Sequence, residues 1–320
     1  MLSFHQSVSD DFSAVNATIL RELHSRVPLV ENIGHYIVDA GGKRLRPLLV
    51  LLVAKALGYG GNRHIDMAAV IEFIHTATLL HDDVVDLSQL RRGKATANAQ
   101  WGNAPSVLVG DFLYSRAFQM LVALGDLRIM AVMANATNTI AEGEVLQLVH
   151  AGDVNTNETS YRRVIECKTA QLFDAAAECG ALLAGADTEV CKELGKYGHH
   201  LGMAFQLIDD VLDYSGNSAD MGKNIGDDLA EGKPTLPLIY TLLHGSEPEI
   251  AVVKNAITTK TAQDLEQIVT IVQNNGALAY TEQAAMREVE SAIGCLDSLA
   301  ASRWKDELIA LAHFAVRRQF

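Results

Sequence analysis

The chain has 320 residues, 49% apolar and 20% charged, with only 6 Pro and 6% aromatic residues. That composition excludes disorder, a collagen-like repeat and a disulfide scaffold, and it leaves ample material for a large buried core. Lys and Arg total 26 against 39 Asp and Glu, a net charge of −13. This balance excludes general nucleic-acid binding, so any anionic ligand must be met by locally gathered cations or by metal ions held on carboxylates.

The segment Met1 to Asp11 has no basic stretch followed by an apolar one, so no secretory leader is expected. Gly41-Gly42-Lys43-Arg44-Leu45-Arg46-Pro47 opens a helix, with Pro47 suited to its first turn. Lys43 and Arg46 then lie near helix-start amides, a favourable place for an anion. The densest apolar run, Leu48 to Ala54, stops at Lys55, which predicts a buried helix too short to span a bilayer. A further apolar helix ends in Leu79-Leu80-His81-Asp82-Asp83-Val84-Val85-Asp86 and is followed by Arg91-Arg92-Gly93. Lys168-Thr169 falls in the middle of another helical stretch. Phe205-Gln206-Leu207-Ile208-Asp209-Asp210-Val211-Leu212-Asp213 repeats the acidic ending, and Gly222-Lys223 and Gly232-Lys233-Pro234-Thr235 follow it.

Elsewhere apolar residues recur at three and four positions among Ala, Leu, Met and Glu, a helical period built from good helix formers. Breaks are expected at 41–42, 58–62, 102–105, 152–153, 185–187, 216–232 and 245–248, where Gly, Asn, Asp and Pro cluster. None has the composition of a flexible linker. The expectation is an all-α protein of ten or more helices forming one domain over 1–320. Cys167, Cys179, Cys191 and Cys295 are widely spaced, without a Cys-x-x-Cys pair, and read as reduced thiols of a cytoplasmic protein.

At 100° per residue, Asp82 and Asp86 project from one helix face one turn apart, as do Asp209 and Asp213. Like charges at that spacing repel unless something positive lies between them. One such triplet reads as a solvated helix end. Two, each preceded by an apolar run, read as carboxylates crowning a cavity. Hard oxygen ligands without clustered His or Cys suit Mg²⁺, and the lack of an Asp-x-Asp-x-Asp-Gly loop argues against calcium buffering. Singly, each basic residue reads as a surface charge. A Walker-type loop is excluded because Gly216 to Lys223 and Gly226 to Lys233 have the wrong spacing, with Asn or Pro after the Lys. The pairing of each carboxylate cluster with cations downstream is the pattern of a diphosphate bridged through Mg²⁺.

Taken in order, these motifs resemble those of the trans-isoprenyl diphosphate synthases, most closely their long-chain, octaprenyl-forming group. The match includes Gly110-Asp111-Phe112-Leu113 and runs from residue 41 to 237. It implies an all-helical isoprenoid synthase bundle around a deep central cavity, normally a homodimer, binding three Mg²⁺ ions per active site. The implied reaction adds isopentenyl diphosphate head-to-tail to an allylic primer, farnesyl or geranyl diphosphate. An octaprenyl-like product would supply a quinone side chain, with no transmembrane segment and transient membrane contact on product release.

By the resemblance, Asp82, Asp86 and Asp209 hold Mg²⁺, supported directly or through water by Asp83, Asp210 and Asp213. Arg91, Lys168, Lys223 and Lys233 contact the allylic diphosphate. Lys43, Arg46, His75 and Arg92 hold isopentenyl diphosphate, and Thr169 and Gln206 lie near the reacting carbons. His81 reads as a satisfied core histidine. One departure is Leu87, where relatives usually carry an acidic or polar residue. Ala77 and Thr78, about 6 to 7.5 Å along the axis from Asp82, form the upper wall of the cavity. Both are small and would leave it open for long products, with a floor near Phe118, Met120, Met130 and Met133.

Four other readings stay open: a shorter-chain synthase, a non-catalytic subunit of a heteromeric synthase, a terpene cyclase and an acidic helical scaffold. The intact second aspartate motif argues against the cyclase, the completeness of both clusters against the inactive subunit, and the ordered cations against the scaffold.

Overall fold

A computed structural model of the chain describes residues 3–39, 41–215 and 226–317. Lys223 lies outside the described residues. The helices are α1 (Ser3–Gln6), α2 (Ser9–Glu22), α3 (Pro28–Asp39), α4 (Leu45–Ala56) and α5 (Arg63–Val85). A two-stranded antiparallel ribbon, β1 (Leu90–Arg91) and β2 (Lys94–Ala95), comes next. It leads to α6 (Ala97–Trp101), α7 (Asn103–Leu124), α8 (Leu127–His150) and α9 (Glu158–Ile165). A π-turn, Glu166–Ala170, joins α9 to α10 (Gln171–Leu183), which is followed by α11 (Thr188–Ser215), α12 (Asp227–Ala230) and α13 (Leu236–His244). The last helices are α14 (Glu247–Thr259), α15 (Leu265–Asn274), α16 (Ala277–Cys295) and α17 (Arg303–Arg317). The all-α expectation holds, with 79% of residues helical.

Two compact units emerge from the packing. The first comprises Met1–Thr137, Leu172–Gly198 and Gly294–Leu311, and the second Asn138–Gln171, His199–Ile293 and Ala312–Phe320.

In the first unit every residue from Leu48 to Ala54 is 0% exposed, so the apolar run of α4 is core on all sides. The long helix α5 packs against α2, α4 and α7. Its approach to α7 depends on Gly110, where a Cβ would collide with the His81 ring. His81 Nε2 then lies 3.2 Å from the Val107 carbonyl and 3.3 Å from Asp111 Oδ1, so it is a satisfied histidine. The Gly-Asp of the third motif thus seats the end of α5.

Helix α7 is the one helix among the described residues long and apolar enough to cross a membrane by length and composition. Only 39% of its 18-residue apolar window is buried.

In the second unit, Tyr161, Ile165 and Ala170 pack with Met203, Leu207 and Ile208 of α11, Leu236 and Ile239 of α13, and Ala284 and Ala285 of α16. Another apolar cluster joins Tyr214 to α13, α14 and α15 through Leu238, Val253, Ile257 and Ile268. The centre of the stretch carrying Lys168-Thr169 is the π-turn, not regular α-helix. Such one-turn widenings are frequent at functional sites. Gly143 of α8 makes room for it, since a Cβ there would lie 2.8 Å from both Cys167 Cβ and Lys168 N.

Candidate active site

In the first unit, α5 carries Asp82 and Asp86 to its C-terminal end, where both are half-buried and Asp86 is the capping residue. Asp83 faces inward at 0% exposure. The hairpin supplies its partner: Arg92 and Gly93 have φ of 53° and 73°, the left-handed pair that folds a two-residue turn between β1 and β2. Arg91 is thereby folded back, and its Nε and Nη2 donate to Asp83 Oδ1 at 2.9 and 2.7 Å. Asn98 Nδ2 donates to the Asp83 carbonyl at 3.1 Å and to that of Ser88 at 3.2 Å, anchoring the same corner. Leu87 sits directly after Asp86 with φ of 54° and is 69% exposed. A left-handed backbone disfavours leucine and tolerates Asn or Asp better. The departure at this position therefore carries strain with no burial to offset it.

A second cluster in this unit gathers around Glu72. Arg44 caps α4 in the left-handed region, with φ of 45°. Its guanidinium contacts Asn16, donates to the Val38 carbonyl at 3.1 Å, and lies 3.6 Å from Glu72 Oε1. Arg46 stacks over the Phe173 ring at 4.3 Å and donates from Nη1 to His75 Nε2 at 3.4 Å. Because arginine only donates, His75 accepts at Nε2 and carries its proton on Nδ1. Burial first, and then Arg46, Arg92 and Arg91, hold the imidazole well below its ordinary pKa. His75 is thus a neutral hydrogen-bonding group. Burial raises the Glu72 pKa, while Arg44, Arg46 and Arg92 oppose that rise. Arg92 also packs over Gly42, where a side chain would collide with its guanidinium. Ala77 is fully buried, and Thr78 is half-buried with its hydroxyl donating to the His75 carbonyl at 2.8 Å.

In the second unit, Asp209 is half-buried, whereas Asp210 and Asp213 are buried. Tyr161 Oη donates to Asp210 Oδ2 at 2.5 Å, and Gln206 Nε2 donates to Oδ1 at 2.9 Å. Gln206 Oε1 in turn accepts from the Thr169 hydroxyl at 3.0 Å. Asp213 accepts from the Gly226 amide at 3.3 Å. Burial, and then the Asp228 carboxylate, push Asp210 up to about 8. Burial and the Asp210 charge raise Tyr161 well above its ordinary value, so its hydroxyl keeps its proton and donates. Lys168 Nζ is 2.7 Å from Glu144 Oε2, while Lys233 pairs with Glu231 and has Asp228 Oδ1 at 4.0 Å.

Among the described residues no three His, Cys, Asp or Glu side chains converge on one point as a metal cage. Mg²⁺ does not require one, since it keeps several waters and takes one or two carboxylates together with substrate phosphates. The half-buried carboxylates one turn apart at the end of α5 fit that demand. Asp83 and Asp210, turned into protein donors, are arranged to hold their motifs in place. Sequence reasoning misses Glu72, Glu144 and Tyr161, because isolated Glu and Tyr residues on helices carry no local signal.

The chain matches the family model described as Polyprenyl synthetase over residues 27–273. It is 52% identical over 315 residues to octaprenyl diphosphate synthase of Escherichia coli (strain K12), covering 98% of each chain. With octaprenyl diphosphate synthase of Haemophilus influenzae it shares 48% identity over 317 residues, covering 98% of this chain and 96% of the other. A crystal structure of polyprenyl synthase from Caulobacter crescentus CB15, complexed with calcium and isoprenyl diphosphate, superposes with a TM-score of 0.97 at 42% identity. That alignment covers 99% of this chain and 97% of the other. With both aspartate motifs intact in this setting, the chain belongs to the polyprenyl synthetase family of chain-elongating trans-prenyltransferases.

Proposed function

We propose that this chain is a Mg²⁺-dependent, long-chain all-trans polyprenyl diphosphate synthase. It extends farnesyl or geranyl diphosphate with isopentenyl diphosphate to an octaprenyl-like product for a quinone side chain. The observation that carries this reading is common to both units. Each has an aspartate motif whose inner residue is clamped by protein donors, and cations that are held by carboxylates, as in Lys168 with Glu144.

Asp82, Asp86 and Asp209 would hold three Mg²⁺ ions, which when bound draw charge off the leaving diphosphate. Arg91, Lys168 and Lys233 orient the diphosphate of the allylic primer, with Lys223 as a fourth cation. Lys43, Arg46, Arg92 and the neutral imidazole of His75 hold isopentenyl diphosphate. The primer's C1–O bond breaks with its electron pair passing to diphosphate, and the isopentenyl double bond attacks C1. A proton then leaves the carbon beside the new cation for the departed diphosphate, so no separate protein base is needed. Gln206 Oε1 and Thr169 Oγ1 contribute acceptor dipoles that stabilise positive charge without capturing it, while apolar side chains exclude water.

A homodimer is supported by the exposed face of the first unit. Leu108 and Val122 of α7 are 65% and 69% exposed, and Leu127 is 84% exposed. An apolar helix of this kind gains by pairing with a second copy. Cytoplasmic residence, one domain over 1–320 and transient membrane contact during product release complete the proposal.

The test is product analysis of the purified chain with farnesyl diphosphate, isopentenyl diphosphate and Mg²⁺. A long-chain product near the octaprenyl position on reverse-phase chromatography is expected. No incorporation refutes the enzyme, and arrest after one addition favours the shorter-chain reading.

A further inference from the structure

We infer that Tyr161 is a positioning residue that sets the orientation of the Gln206 amide by locking the Asp210 carboxylate. The inference rests on the role proposed for Gln206 and extends it to a buried residue that reaches Gln206 through Asp210.

Tyr161 is 5% exposed and its ring packs among Met203, Leu207 and Ile208, a setting in which phenylalanine would serve equally well for packing. Its hydroxyl is therefore the informative group, and it donates to Asp210 Oδ2 at 2.5 Å. Asp210 is itself 1% exposed, and its other oxygen accepts from Gln206 Nε2 at 2.9 Å. With Tyr161 donating to one Asp210 oxygen and Gln206 Nε2 donating to the other, the glutamine presents its NH₂ to Asp210. Its carbonyl oxygen then faces the opposite way, where it accepts from Thr169 at 3.0 Å. The four side chains form one directed chain, in which both Tyr161 and Gln206 donate to Asp210 and Thr169 donates to Gln206.

The terminal torsions of Asp and Gln are broad and roughly two-fold, so neither group is fixed by its own rotamer preference. Tyr161 supplies the missing constraint. Without its hydroxyl, the Asp210 carboxylate can rotate and the Gln206 amide can flip, turning N–H donors to the place where positive charge develops. Donors there destabilise an allylic cation that the carbonyl oxygen would stabilise. Tyr161 also lies on α9, the helix that runs into the π-turn bearing Lys168 and Thr169. The same hydrogen bond therefore ties that turn to α11.

The experiment uses the full chain as wild type, Tyr161→Phe, Gln206→Ala and the double variant, with farnesyl diphosphate, isopentenyl diphosphate and Mg²⁺. In the wild-type background Tyr161→Phe is expected to lower kcat about 10- to 100-fold, the scale of leaving one buried hydrogen-bonding group unsatisfied. KM for both substrates should stay within about threefold, and more of the primer should be lost to water as allylic alcohol. In the Gln206→Ala background the same substitution should cost less than about twofold, because Tyr161 acts through the residue already removed. Equal losses in both backgrounds, or an unchanged kcat, overturn the inference. Asp210→Asn, whose amide can offer either a donor or an acceptor to Gln206, carries the same cycle if Tyr161→Phe does not fold. A wild type that incorporates no isopentenyl unit ends the proposed function itself, whereas an active wild type matched by Tyr161→Phe ends only this inference.

Discussion

Asp83 and Asp210 occupy the same place in two motifs of identical spelling, yet the protein secures them by different physics. Asp83 is held by a charge: both donors of Arg91 fall on one of its oxygens, while its Oδ2 is buried without a hydrogen bond among the described residues. Asp210 is held by neutral groups, with one oxygen taken by a phenol and the other by an amide. An ion pair fixes position through strong attraction and is lost badly when one partner is removed. A pair of neutral donors fixes orientation and transmits it, because each donor has its own second contact or its own helix. The first motif is thus anchored locally, by a hairpin eight residues on. The second is anchored across 49 residues and passes its orientation to Gln206 and Thr169.

The largest expected effect breaks the first anchor. Arg91→Met leaves a fully buried carboxylate uncompensated and should destabilise the fold by about 3–5 kcal/mol, read by chemical denaturation. A change below about 1 kcal/mol would mean that Asp83 does not depend on its cation. Next, Asp82→Ala spares both anchors and removes only an outer carboxylate, so stability should stay near wild type while turnover falls at least about a hundredfold. Near-normal incorporation of labelled isopentenyl diphosphate would remove Asp82 from the metal site.

A third acid sharpens the contrast because no donor holds it. Asp174 on α10 has no hydrogen bond among the described residues, and burial, followed by Glu178, pushes it up from 3.8 to about 6. The folded state therefore prefers the protonated acid. Its contribution to stability is full below about pH 4 and is lost as the pH rises through about 6. Asp174→Asn should flatten that slope and raise stability at pH 7 by up to about 3 kcal/mol. An unchanged pH profile would show that solvent reaches the carboxylate. The smallest change concerns the helix leading to the first motif, where Ala77→Phe should shorten the product ladder. Overpacking a fully buried position costs about 1–3 kcal/mol, so products are read at a temperature where the variant is folded. A ladder identical to wild type would remove Ala77 from the wall.

Much of this arrangement is legible in the order of the residues. The apolar run Leu48 to Ala54, the glycine-marked breaks and the two acidic helix ends are local patterns, and local patterns report helical period and termination directly. Arg91 is visible as a cation downstream of the first motif, though its partner is not. Spacing alone does not show that a two-residue turn with Arg92 and Gly93 left-handed folds the guanidinium onto Asp83 instead of leaving it extended. Gly110 is visible as part of a motif, but its reason, the approach of the His81 ring, is a helix-to-helix distance. Tyr161, Glu72 and Glu144 give no signal, since each acts on a residue 49, 28 or 24 positions away.

The amino-acid sequence alone settles the class of chemistry. Paired acidic helix ends with cations beside them, on a chain of net charge −13, are the pattern expected of carboxylates that share divalent metal with a diphosphate. Helical period with few breakers specifies an all-α fold. Tertiary packing is needed to choose which aspartate of each triplet turns inward and which donor holds it, and to make His75 neutral. The reason is physical: charge and periodicity are carried by residue type, whereas burial, hydrogen-bond direction and protonation depend on which groups the folded chain brings within about 3 Å of one another.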